Sequence, residues 1–180
     1  MTFALPGDWA ILAWIQAHLR ADWLDEAVSF YSGLGNGGKL WLAIAFVCLF
    51  LPRYRRVGWA MICALALGFV VGNLFLKPLV ARPRPCWLDP SVALLIPTPL
   101  DFSFPSGHTL SSVVAATTMW CSGHRWLGRV GVTLATLMAL SRLYLYVHFP
   151  SDILAGMIIG VLIGVLVSYF CYKPGYNIKD

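Results

Sequence analysis

The stretch SRLYLYVHFPSD, residues 141–152, puts Arg142, His148 and Asp152 within eleven positions of an otherwise apolar region. A charged side chain at membrane depth is costly unless it is paired or faces a cavity, so such residues are functional candidates. Pro150 breaks the run just before the next apolar stretch begins. The motif therefore straddles the end of one predicted helix and the start of the next, where side chains converge. Arg142 alone reads as a helix-end arginine snorkelling to the membrane surface. The triplet is harder to dismiss.

The whole chain supports a membrane setting. Hydrophobic residues make up 59% of its 180 positions and charged residues 12%, with a mean hydropathy of +0.73. A soluble domain carries about 25% charged residues. The length is that of one domain. The formal charge of +5 does not indicate nucleic acid, because the basic residues sit at the ends of apolar runs and not on a polar face with stacking aromatics. Eight tryptophans and seven tyrosines suit interfacial belts. Cys48, Cys63, Cys86, Cys121 and Cys171 show neither CxxC nor metal spacing and read as small core residues. No cleavable leader is expected, because the start lacks a basic segment and its apolar run contains Gln16 and His18.

The expected fold is all-α, a polytopic membrane bundle. Five crossings are read at residues 40–51 with their flanks, 57–76, 109–123, 130–147 and 153–172. A sixth exists only if the N-terminal segment also spans. Residues 9–19 and 22–31 are each too short to cross and are expected as interfacial helices. The single domain thus divides into an interfacial segment, residues 1–35, and a transmembrane catalytic bundle, residues 40–172. Between them GLGNGG, residues 33–38, reads as a turn, too short for a phosphate loop despite Lys39. Gly156, Gly160 and Gly164 have small-xxx-small spacing and are expected to pack within the bundle.

Five crossings place Arg53, Arg55, Arg56, Arg125, Arg129, Lys173 and Lys179 on one side. The other side holds Arg20 and Lys39, together with Lys77, Arg82, Arg84 and Arg142 of the clusters described next. With the cluster residues set aside, the first side is the more basic and is expected to be cytoplasmic. The clusters then face outward.

The first cluster is KPLVARPRP, residues 77–85, in which prolines stiffen the backbone that carries Lys77, Arg82 and Arg84. By itself it reads as a headgroup anchor, although such anchors accumulate on the inner side. The second is FPSGH, residues 104–108, where Ser106 is a natural N-cap and Gly107 permits close backbone approach. A helix N-terminus is a ready anion site, and His108 stands in its first turn. Alone it reads as a capped helix. With residues 141–152 the three supply cations, backbone donors, two histidines and a carboxylate on one face. That inventory suits phosphate chemistry in which one histidine attacks phosphorus, another protonates the leaving oxygen, and Asp152 orients the attacking imidazole. No carboxylate cluster suggests a metal pair, so no metal or other cofactor is expected.

The pattern Lys77-x6-Arg84-Pro85, then Pro105-Ser106-Gly107-His108, then Ser141-Arg142-x5-His148-x3-Asp152 resembles the three-part signature of the type 2 phosphatidic acid phosphatase superfamily. The resemblance covers about residues 57–172. It implies a metal-independent phosphatase with His148 as nucleophile, passing through a phosphohistidine, Asp152 activating it and His108 protonating the leaving group. Lys77, Arg84, Ser106, Gly107 and Arg142 would bind phosphate, with Arg82 a further contact outside the core signature. Integral members of the family typically have six spans, one more than counted here. The implied protein is an outward-facing lipid phosphatase of a bacterial inner membrane. Undecaprenyl diphosphate, phosphatidylglycerophosphate and phosphatidic acid are its candidate substrates. No obligatory protein partner is expected. The alternatives are a phosphate-lipid transporter or flippase without hydrolysis, and vanadate-dependent oxidation as in soluble relatives. Asp89 and Asp101, in the outer loop, are expected only to solubilise it.

Overall fold

The protein is described from a computed structural model over residues 4–172. Lys173 and Lys179, counted above on the basic side, lie outside the described residues. All regular structure among the described residues is helical. Two helices, α1 (Asp8–His18) and α2 (Asp22–Leu34), precede a glycine-rich break. Next come α3 (Lys39–Phe50) and α4 (Arg55–Phe69), joined by a turn at Pro52–Tyr54. The chain continues from α4 through a π-helical stretch, Val70–Leu76, into the short α5 (Lys77–Val80) and α6 (Pro85–Leu88). Then follow α7 (Gly107–Cys121), α8 (Arg125–Tyr144) and α9 (Pro150–Cys171).

Two helical stretches, Pro52–Leu88 and Pro150–Cys171, are long and apolar enough to cross a membrane. α2 and the chain from Asn36 to Phe50 pass the same test together, bent by 52°. The run expected as the first crossing is thus continued by α2 through the GLGNGG break. α8 is long enough at 20 residues but carries Arg125, Arg129 and Arg142.

The helices pack through small residues. Cβ atoms added at Gly160 and Gly164 would stand 2.8 Å from Val113 Cβ and 2.5 Å from Thr117 Cβ, so the glycine stripe of α9 lies on α7, inside the bundle as expected. Gly156 continues the stripe against the Ser106 carbonyl and brings the start of α9 to the start of α7. Trp41, Met61, Val114 and Met119 fill the core between α3, α4 and α7. Outward faces carry Phe46, Trp59, Leu162 and Phe170, all exposed, as lipid contact requires. Cys48 and Cys86 are buried, but Cys63 and Cys121 are exposed, which corrects their reading as core residues. An apolar side chain need not be inside when the surroundings are apolar too.

α1 and α2 are held against the bundle. Leu12 and Ile15 share a buried cluster with Leu143, Phe149 and Ile153. Tyr31 donates to the Leu134 carbonyl at 2.7 Å, and Gln16 to the Tyr144 carbonyl at 2.9 Å. Alternating helix directions put the end of α5 and the starts of α7 and α9 at one end of the molecule. The Pro52–Tyr54 turn meets His124 and Trp126 at the other, through Tyr54.

Candidate active site

The loop between α8 and α9 turns at Tyr146, whose φ of +58° is unusual for a residue with a Cβ, and delivers His148 into the protein with 1% of its surface exposed. Asp152, one turn into α9, closes that turn back on itself by accepting from the Phe149 N–H at 2.8 Å. The same carboxylate lies 3.5 Å from His148 Nδ1. On the other side of the ring, Nε2 is 3.0 Å from Arg84 Nη1, which also donates to the Val147 carbonyl at 2.7 Å. The imidazole thus has one nitrogen toward a carboxylate and the other toward a guanidinium. Burial, then the charges of Arg84, Arg142 and Lys77, hold His148 well below its ordinary pKa, in the neutral form.

Ser106 caps α7 as expected, its Oγ accepting from the Thr109 N–H at 3.4 Å, and its own N–H donates to the Asp152 carbonyl at 3.2 Å. Gly107 places the helix start where an added Cβ would be 3.0 Å from Asn73 Oδ1 and 3.7 Å from Lys77 Nζ. His108 follows in the first turn and, with Lys77, Asn73, Gly107 and Asp101, lines a cavity of about 390 Å³. The cavity continues between Leu42, Ile62, Leu65 and Phe69. Lys77, Arg84 and Arg142 are all buried. Arg142 reaches Ser32 Oγ and, among the described residues, forms no ion pair; its Nε is buried without a partner. Buried cations short of acids are what an anion site requires.

Arg82 does not join them. Its guanidinium bridges two buried carboxylates, Asp152 at 2.5 Å and Asp8 at 2.9 Å, and lies over the Phe149 ring. Asp8 in turn accepts from the Ser151 N–H at 3.0 Å and Oγ at 2.6 Å. Arg82 is therefore placed to orient Asp152 and to offset the burial of its carboxylate, and the expectation of a further phosphate contact is corrected. Asp101 is corrected too. Its carboxylate bonds Lys77 Nζ and, at 2.7 Å, Arg84 Nη2. Burial opposes its ionisation, but the Lys77 hydrogen bond and the charges of Arg84 and Lys77 win and hold its pKa at about 2.

Ser103 is buried, donates to Asp152 Oδ2 and lies 3.5 Å from His148 Nδ1, a partner of both that the sequence motifs do not include. Its place three residues before Ser106 is the one signal the sequence carries for it. Asn73 stands in the π-helical stretch with a buried, unpartnered Oδ1; such bulges recur at functional sites.

The sequence model of the PAP2 superfamily matches residues 57–176. An undecaprenyl-diphosphatase of Sulfolobus acidocaldarius is 32% identical over 67% of this chain and 58% of its own length. The chain thus spans less than two thirds of that relative. A decaprenylphosphoryl-5-phosphoribose phosphatase of Mycobacterium tuberculosis is 38% identical over 71% of this chain and 69% of its own. The crystal structure of a transmembrane PAP2-type phosphatidylglycerolphosphate phosphatase from Bacillus subtilis superposes with a TM-score of 0.75 at 27% identity, covering 95% of this chain and 87% of that one.

Proposed function

The chain belongs to the PAP2 superfamily, and on that premise we propose that it is an integral-membrane phosphatase. Its substrate is the phosphomonoester or diphosphate of a lipid, hydrolysed through a phosphohistidine on His148. The observation that carries this reading is the setting of the His148 ring, with Nδ1 toward Asp152 and Nε2 3.0 Å from Arg84.

The phosphoryl oxygens take the place now held by Asp101. Lys77, Arg84 and Arg142 neutralise them, and the start of α7 offers the Ser106 hydroxyl, the Gly107 N–H and the positive end of its dipole. His148 Nε2 forms a bond to phosphorus while the bond to the leaving oxygen breaks. The freed electron pair stays on that oxygen, which takes a proton from His108. Asp152, 3.5 Å from Nδ1 and bonded to Ser103 beside it, stabilises the ring as it becomes cationic. In the second step His108 takes a proton from water, whose oxygen attacks phosphorus and releases His148.

The cavity supports a lipid substrate. Its polar end holds Lys77 and His108 and its other end Leu42, Leu65 and Phe69, so a headgroup and the first part of a chain fit along one path. Undecaprenyl diphosphate, phosphatidylglycerophosphate and phosphatidic acid share that build. Residues 40–172 form the catalytic bundle with five crossings, the first continued by α2 as a bent pair, and α1 packs against Leu143, Phe149 and Ile153 as an interfacial helix. The end bearing Arg53, Arg55, Arg56, Arg125 and Arg129 faces the cytoplasm of a bacterial inner membrane, so the site opens outward.

Phosphate release from a panel of lipid phosphates in detergent, with a chelator present, tests the reading against His148→Ala. Turnover that resists the chelator and vanishes in the variant is expected. Binding of labelled lipid without release would favour a transporter.

A further inference from the structure

The glycine-rich turn at residues 33–38 lies outside the three motifs, yet it reaches the site. Asn36 opens a 3-10 turn between α2 and α3, and its Oδ1 lies 3.0 Å from His108 Nε2. The backbone is built for this approach. A Cβ added at Gly35 would stand 2.7 Å from His108 Cδ2 and 2.7 Å from Met138 Sδ, so a side chain there would push the turn off the ring. Gly37 and Gly38 have φ of +62° and +72°, the left-handed region that returns the chain into α3. Gly35, Gly37 and Gly38 line the same cavity as His108 and Lys77. The break that bends α2 against α3 by 52° is therefore also a wall of the candidate site.

We propose that Asn36 is a positioning residue for His108, which rests on the phosphatase reading above. The amide oxygen accepts from Nε2–H, which fixes the ring's orientation and leaves Nδ1 as the nitrogen that carries the transferred proton. Burial and the charges of Arg142, Lys77 and Arg84 lower the ring's pKa, and the negative charge of a bound phosphate offsets those cations. As the bond between phosphorus and the leaving oxygen breaks, the electron pair moves to that oxygen and the His108 imidazolium supplies its proton. A ring free to rotate away from Asn36 delivers that proton less often. The need for it depends on the leaving group. An alkoxide leaves poorly without a proton, whereas a nitrophenolate departs as its anion.

Asn36→Ala, Asn36→Gln, His108→Ala and His148→Ala are compared with wild type on a long-chain phosphatidic acid and on p-nitrophenyl phosphate, in detergent. General acid catalysis contributes roughly a hundredfold or more. Asn36→Ala is expected to lower kcat on the lipid by about tenfold or more and kcat on the aryl ester by about threefold or less, with KM little changed. His108→Ala should show the same split more strongly, and Asn36→Gln should recover part of the lipid rate. Equal loss on both substrates, or an unchanged lipid rate, overturns the role of Asn36 alone. A His148→Ala variant as active as wild type overturns the phosphatase mechanism, and this inference with it.

Discussion

Arg84 holds Asp101 at two points, Nη2 donating to Oδ1 at 2.7 Å and Nε to the backbone carbonyl at 2.7 Å. With Lys77 on the other carboxylate oxygen, the acid sits on two of the three cations assigned to phosphate. On the proposed function, an incoming phosphate displaces it.

Asp101→Asn removes the competing charge while the backbone carbonyl still holds Arg84. The side chain is 55% exposed, so solvent screens the pair. KM for a lipid phosphate, and Ki for inorganic phosphate, are therefore expected to fall by roughly three- to tenfold. Weaker binding in steady-state kinetics would show that Asp101 helps to hold the substrate.

Asp8 fastens the first helix to Asp152 through Arg82 and Ser151. Asp8→Ala leaves a buried guanidinium with one carboxylate in place of two. Breaking a buried pair costs about 3 kcal/mol, which thermal unfolding in detergent should register as a clearly lowered Tm, together with a lowered kcat. An unchanged Tm would mean that Asp152 and water suffice for Arg82.

The glycine stripe of α9 gives a packing prediction. A methyl group at Gly164 meets Thr117 Cβ at 2.5 Å, and Thr117 cannot swing its Cβ away. Gly164→Ala should destabilise the bundle by about 1–3 kcal/mol, as overpacking does. A neutral result would mean that α7 and α9 separate freely.

His148 carries a pH prediction. Burial and its cationic neighbours depress its pKa in the folded protein. A depressed folded pKa contributes stability that is present above the unfolded value, near 6.5, and lost as pH falls below it, because the unfolded chain then takes up a proton that the folded one refuses. Wild-type Tm should drop more between neutral and mildly acidic pH than that of His148→Gln. Asp101 acts only at lower pH, its contribution fading from the ordinary 3.8 towards about 2. Parallel profiles would mean that His148 is protonated in the fold.

The three motifs were legible because charged residues stand out in so apolar a chain, and Lys77, Arg84, Ser106, His148 and Asp152 do meet at one end of the bundle. Their partners were not legible. Arg82 and Asp152 are 70 residues apart, and only the fold, which brings the loop between α5 and α6 against the start of α9, tells which cation that acid meets. Asp101 looks like any loop acid until the loop folds over Lys77. Asn36 read as part of a turn, because glycine content signals a bend and says nothing of what the bend touches. The helices were found, but α2 and α3 read as separate elements since glycines interrupt the apolar pattern that joins them.

On the proposed mechanism His148 becomes covalently phosphorylated. Rapid acid-free quenching of wild type with a lipid bearing a radiolabelled phosphate should trap label on the protein that survives alkali and is lost in acid, as a phosphoramidate is. The label should be absent from His148→Ala and accumulate at the expense of free phosphate at the earliest times. Label retained in His148→Ala, or phosphate released with no labelled protein at any time, would contradict it.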